Sequence, residues 1–234
     1  MFGARSSAAL GLGSTGSSSF SWLYPVVFVI IAILVVWRST VNGQKRRERI
    51  SRFAASRGLT YEQRNDAWTR MDWGSPFGEG SSRKASNVLT GHLKGRPVVT
   101  FDYQFTTGSG DDQTTHNYVI TAAQIPRAFP KLVVDPESAS GRMARRLGFK
   151  DIELESETFN KQYKIKCDNR KFAYDVLHPR FMEWMLQTNS AGFTIAGPYV
   201  VIARYGALTE SALDNDFAYI STVIDHMPNF VWAN

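Results

Sequence analysis

The sequence predicts an α+β class: one N-terminal transmembrane helix followed by a single soluble domain with antiparallel hairpins and several helices. Three observations predict it. An uncharged apolar run fills residues 20–37, apolar and polar residues alternate between 87 and 134, and helical periodicity mixes with short strands after 138.

Residues 20–37 read FSWLYPVVFVIIAILVVW. Eighteen helical residues reach about 27 Å, close to the ~30 Å hydrocarbon core of a bilayer. Trp22, Tyr24 and Trp37 stand at the ends, where amphipathic rings suit the interfaces. Residues 1–19, rich in Gly and Ser, are expected to be a disordered tail. Gly11, Gly13 and Gly16 match G-x-G-x-x-G there. With no preceding strand and no βαβ unit, the match carries no nucleotide-binding meaning.

Charge gives the orientation. The chain carries a net +6, but residues 1–57 hold eight Arg or Lys against one Glu, and residues 58–234 hold nineteen against twenty acids. Arg38, Lys45, Arg46, Arg47 and Arg49 crowd the C-terminal side of the apolar run. Only Arg5 precedes it. The positive-inside rule then puts the C-terminal domain in the cytoplasm and the N-terminus outside the plasma (inner) membrane. A cleaved signal peptide would want positive charge ahead of the run and small residues at its end, whereas this run ends in Val36 and Trp37 and is followed by Arg38. The near-neutral domain excludes a nucleic-acid partner, which would call for a basic surface.

Residues 38–58 are expected to continue as a basic juxtamembrane helix. Ile50, Phe53 and Ala54 fall on one face, Gly58 closes it, and the basic residues meet anionic headgroups. Residues 59–234 form the α+β domain. Residues 59–84 read as irregular, with Trp68, Met71, Trp73 and Phe77 capping an apolar surface, the domain's own core in preference to a partner. Strands are expected at 87–93 and at 97–106, where Val99, Phe101, Tyr103 and Phe105 share a face. A turn at 108–112 leads to a partner strand at 114–122, and a further strand lies at 131–134. A short basic helix is expected at 138–147, then a strand on which Ile152 and Leu154 oppose Glu153, Glu155 and Glu157, and a turn at Phe159. Tyr163, Ile165 and Cys167 share a strand face. Asp168 or Asn169 caps the next helix, His178-Pro179 breaks it, and 180–186 resumes. A last hairpin at 193–196 and 199–204 precedes a helix over 209–226.

The stretches LGFKDIELESETFN (147–160), YKIKCD (163–168) and FAYDVLHPRFM (172–182), with Phe101, Tyr103, the run 106–110 and Thr115-His116, resemble an actinobacterial family. Its members are single-pass, membrane-anchored proteins carrying a domain of unknown function. The likeness covers residues 85–188 and fades in the tail and beyond Gly197. It implies one transmembrane helix followed by such a domain, and it brings no catalytic residues.

No nucleophile elbow, P-loop or zinc spacing is present, and neither a cofactor nor a metal is expected. The four histidines are isolated. Cys167, His178 and His116 are the least unlikely catalytic groups, with Cys167 and His178 as a conceivable nucleophile and base. Burial of Cys167 on an apolar strand face and a helix-end role for His178 are the simpler readings. Glu153, Glu155 and Glu157 read as a solvated face rather than a cation site.

The function expected is therefore that of a membrane-tethered, non-enzymatic interaction domain, an accessory subunit or scaffold of a larger membrane complex. Its partners would be membrane lipids and a membrane protein, with Trp68, Trp73 and Trp232 as interface aromatics. An enzyme of unrecognised type and a sensor of anionic lipid or envelope state are the alternatives.

Overall fold

The computed structural model describes residues 23–137 and 152–233. Two compact units are present, Met1–Arg46 and Arg47–Asn234. The expected tail at 1–19 and the expected helix at 138–147 lie outside the described residues.

Helix α1 spans Leu23–Ser56 without a break at residue 38. Its end follows from the sequence. Gly58 takes a left-handed φ of 67°, Leu59 N donates to Ala54 O at 2.8 Å and Gly58 N to Ala55 O at 3.2 Å. This pair of bonds is a Schellman closure, which satisfies carbonyls the helix leaves unpaired. Ile50, Ala54 and Leu59 are buried and Phe53 packs beside them, so the face read from the i, i+3, i+4 spacing is the one that docks.

The membrane span expected over residues 20–37 is described only in part. Residues 20–22 lie outside the described ones, and the helical part that remains before Arg38 reaches only about 22 Å. No helix among the described residues is long and apolar enough to cross a membrane.

The domain is α+β, built on an antiparallel sheet. Its strands are β1 (Thr60–Arg64), β2 (Ser81–Leu93), β3 (Arg96–Thr107), β4 (Thr114–Pro136), β5 (Tyr163–Cys167) and β6 (Phe193–Tyr205). The order is β1-β2-β3-β4-β5, with β6 also on β4. The 23-residue β4 organises the sheet. Its first half pairs with β3 from Thr114 to Ala123, its second with β5 from Leu132 to Pro136, and β6 runs along both.

Helices α2 (Glu157–Gln162), α3 (Arg170–Val176), α4 (Pro179–Thr188), α5 (Glu210–His226) and α6 (Asn229–Ala233) complete the described domain. Caps fix their starts. The side chains of Ser156, Asn169 and Thr209 accept from Phe159 N, Phe172 N and Ala212 N, and Pro179 opens α4 where a missing N–H costs nothing.

Each face of the sheet has its own core. One holds Leu132, Val134, Ile165, Ile195 and Ile202 together with α1's docked face and helices α2 to α6. The other holds Val99, Phe101, Tyr103 and Phe105, covered by Trp73 and Phe77. The alternation over 97–106 thus identifies the aromatic face correctly.

Several element boundaries differ from expectation. Residues 59–84 are not wholly irregular: β1 pairs Thr60 with Thr90, and β2 starts at Ser81. Strands expected at 114–122 and 131–134 are one strand. The hairpin expected at 193–204 is the single strand β6. Gly197-Pro198 reads as a turn, but β4 bulges between Gln124 and Leu132 and absorbs the irregularity opposite it. Residues 152–156 carry no ladder. Ile152 N bonds Ile165 O at 2.8 Å, and Leu154 is held through its backbone by the Asn160 amide. The turn at Phe159 is the helix α2.

Candidate functional site

The most distinctive surface is on α1. Tyr24, Val26, Val27, Phe28, Val29 and Ile30 are exposed, Tyr24 to 76% and Phe28 to 79%, and the exposure continues through Ile31, Ile33, Leu34 and Trp37. Consecutive exposed positions at 100° per residue go around the whole helix, so this is an apolar cylinder rather than a stripe. Arg38, Lys45, Arg47 and Arg49 follow it, all exposed and with no acidic partner among the described residues, and Arg46 is half-buried.

The three groups weighed for catalysis are engaged separately. Cys167 is buried, its Sγ donating to Asn169 O at 3.2 Å, and burial pushes the thiol pKa up. A thiolate is therefore disfavoured where a nucleophile would need one. His178 caps α4, and its Nε2 lies 3.0 Å from His226 O. His226 Nδ1 in turn lies 2.8 Å from Thr222 O, and its ring stacks on Trp184 and Phe181. This pins the start of α4 to the end of α5. His116 sits on β4, stacked on Phe105 with Nε2 2.8 Å from Thr107 Oγ1. Cys167 and His178 do not meet as nucleophile and base in any described hydrogen bond. No described group of acids, histidines and cysteines could hold a metal ion, Glu153, Glu155 and Glu157 included.

The proposed interface aromatics belong mainly to cores. Trp73 is only 3% exposed, 5.5 Å from Phe77 and 5.1 Å from Tyr199, and cannot offer a face to a partner. Trp68 is half-buried and stacked on Phe101. Trp232 is half-buried against Phe129, its Nε1 donating to Met227 O at 3.4 Å. The aromatic residues compete for the sheet face because burying their large apolar area stabilises more than exposing it.

One feature escaped the sequence. Sheet register sets Thr60, Thr90, Val99, Ala122 and Val201 in a row across five strands, on the aromatic-core face. One pair further along, His92 faces Pro97 and Gln124 faces Tyr199. With Trp68 as a wall, Thr60, Thr90, His92, Pro97, Val99, Gln124 and Tyr199 line an open groove of about 480 Å³. It draws on residues from five strands, and only their register brings them together.

No protein-family model and no curated protein matches the sequence. Among solved structures, the chain is similar in fold to the mycobacterial trehalose monomycolate transport factor A. The identity is 13%, the TM-score 0.57, and the match covers 78% of this chain and 96% of that one. At this identity the likeness is one of fold.

Proposed function

We propose that the chain is a membrane-tethered, non-enzymatic interaction domain, an accessory subunit or scaffold of a larger membrane protein complex. The exposed apolar cylinder of α1 is the observation that carries this reading. Leaving apolar surface in water forgoes about 25 cal/mol for each Å², and monomeric soluble proteins seldom expose a contiguous patch of this kind. Lipid tails or the helices of a membrane protein would cover it. In this reading the apolar part of α1 enters the plasma membrane and the basic segment that follows it holds the cytoplasmic side.

Two further considerations support the reading. The resemblance over residues 85–188 is to actinobacterial proteins with one anchor and such a domain. The fold neighbour bears the name of a transport factor, so an accessory, transport-related role is the corresponding proposal here. Against an enzyme stands the separate structural engagement of Cys167, His178 and His116.

Purification from mild detergent at native expression tests the proposal. It predicts a membrane protein recovered in fixed ratio with the chain, and lost from it when Val29→Arg and Ile33→Glu are introduced together. Recovery of a lone monomer would overturn it. The second reading, a sensor of anionic lipid, draws on Arg38, Lys45, Arg47 and Arg49, which are exposed and have no acidic partner among the described residues. Each would contribute about 1 kcal/mol at a charged surface. It requires binding to anionic liposomes that weakens when these four are neutralised.

A further inference from the structure

The groove on the aromatic face of the sheet has a chemistry of its own. Among its lining residues there is no Asp, Glu, Lys or Arg, so it offers no counter-charge to a phosphate, a carboxylate or an amine. It is not purely apolar either. Trp68, Tyr199, His92, Gln124, Thr90 and Thr60 all bring polar atoms to it, and none of these side chains hydrogen-bonds to another residue among those described. An alkyl chain laid here would strip water from those groups and return nothing, at a cost of about 1–3 kcal/mol per group. The floor, by contrast, is apolar at Val99 and Pro97.

The two aromatic rings are held from behind. Trp68 lies 6.1 Å from Phe101 and 5.9 Å from Trp73, and Tyr199 lies 5.1 Å from Trp73. Their orientation is fixed before anything binds, which lowers the entropy cost of using them as platforms. Fixed ring faces, an amide, an imidazole and hydroxyls, with no carboxylate, ammonium or guanidinium among them, match a ligand that has C–H faces on one side and hydroxyls around its rim. Those hydroxyls both donate and accept, as do Gln124, His92, the threonines and the Tyr199 phenol. The volume lies within the ~300–1,000 Å³ range of small-ligand sites and accommodates two sugar rings.

We propose that the groove lined by Trp68, Tyr199, His92, Gln124, Thr90 and Thr60 binds a neutral sugar of about disaccharide size. The sugar packs on the Trp68 and Tyr199 rings, and Gln124 and His92 hydrogen-bond its hydroxyls. This stands on the groove alone and holds whether or not α1 enters a membrane. A free disaccharide and the headgroup of a glycolipid present the same chemistry.

Saturation-transfer NMR on the full chain in phosphatidylcholine nanodiscs tests it, with maltose and trehalose as probes, glucose 6-phosphate as the charged control and empty nanodiscs as the blank. The expected result is transfer to the ring protons of a neutral disaccharide, with Kd in the range of about 1–10 mM, and at least threefold less transfer to the phosphorylated sugar. The pair Tyr199→Phe and Gln124→Ala, which removes polar groups and leaves the core rings in place, should cut transfer at least threefold with the thermal midpoint unchanged. Trp68→Leu should cut it as well. Dodecyl maltoside below its micellar concentration separates the sources: binding ten times tighter than maltose marks a lipid headgroup, and equal binding marks the free sugar. No transfer above that to empty nanodiscs, or transfer that both variants leave unchanged, would overturn the assignment.

Discussion

Tyr103 is fully buried between Phe77 and Phe105, and its hydroxyl has no hydrogen-bond partner among the described residues. Desolvating a hydroxyl without repayment costs about 1–3 kcal/mol, and burial also pushes its pKa up. Tyr103→Phe should therefore raise the stability of the domain, by about 1 kcal/mol, read as a higher urea midpoint. Asp135 poses a pH-dependent version of the same cost. Half-buried on β4, its carboxyl is pushed up to about 6 by burial, with Lys166 opposing the shift. The folded state then holds this proton more tightly than the unfolded chain, so stability falls as pH rises from about 4 to 6 and stays lower above. Asp135→Asn should add about 1–2 kcal/mol at pH 7.5, allowing for partial solvation, and nothing at pH 4. Urea unfolding of both proteins at the two pH values checks the sign. An equal gain at both would remove Asp135 as the cause.

Among the elements, α1 combines two environments in one helix. Its C-terminal turns dock through Ile50 and Ala54, and its first turns expose apolar side chains all round. Ile50→Ala removes buried methyl groups from the docked end and should cost about 2–4 kcal/mol, measurable as faster amide exchange at Leu59, whose N–H closes the helix. The elements also mark how far the sequence could be read. Local signals are legible: the cap read at Asp168 or Asn169, which falls to Asn169, the helix break at His178-Pro179, the stop at Gly58, and the two-residue period of β3 all stand in the residues themselves. What failed depended on pairing. β1 is mostly polar and exposed because only one edge of it is hydrogen-bonded, so no alternation announces it. Gly197-Pro198 looks like a turn until β4 is seen to bulge opposite. The tryptophans were identified as a set. Which of them the core would claim depended on the segment folding over β3, a contact that Trp73 makes and the sequence does not display. The groove was illegible for the same reason, since Tyr199 and Gln124 meet only through the β4–β6 register.

For the molecule as a whole, the apolar and basic surplus is concentrated at one end and the rest is close to neutral. The domain needs neither for its own packing: its cores lie on the two faces of the sheet and close with side chains from residue 50 onward. On the proposed reading a bilayer covers this segment, since it supplies both an apolar interior and an anionic rim. Alkaline carbonate extraction of membranes from cells expressing the full chain at native level is the most direct measurement of that claim. The protein is expected to stay in the membrane pellet, and Val29→Arg with Ile33→Glu to release it. Complete recovery of the unsubstituted chain in the supernatant would contradict it.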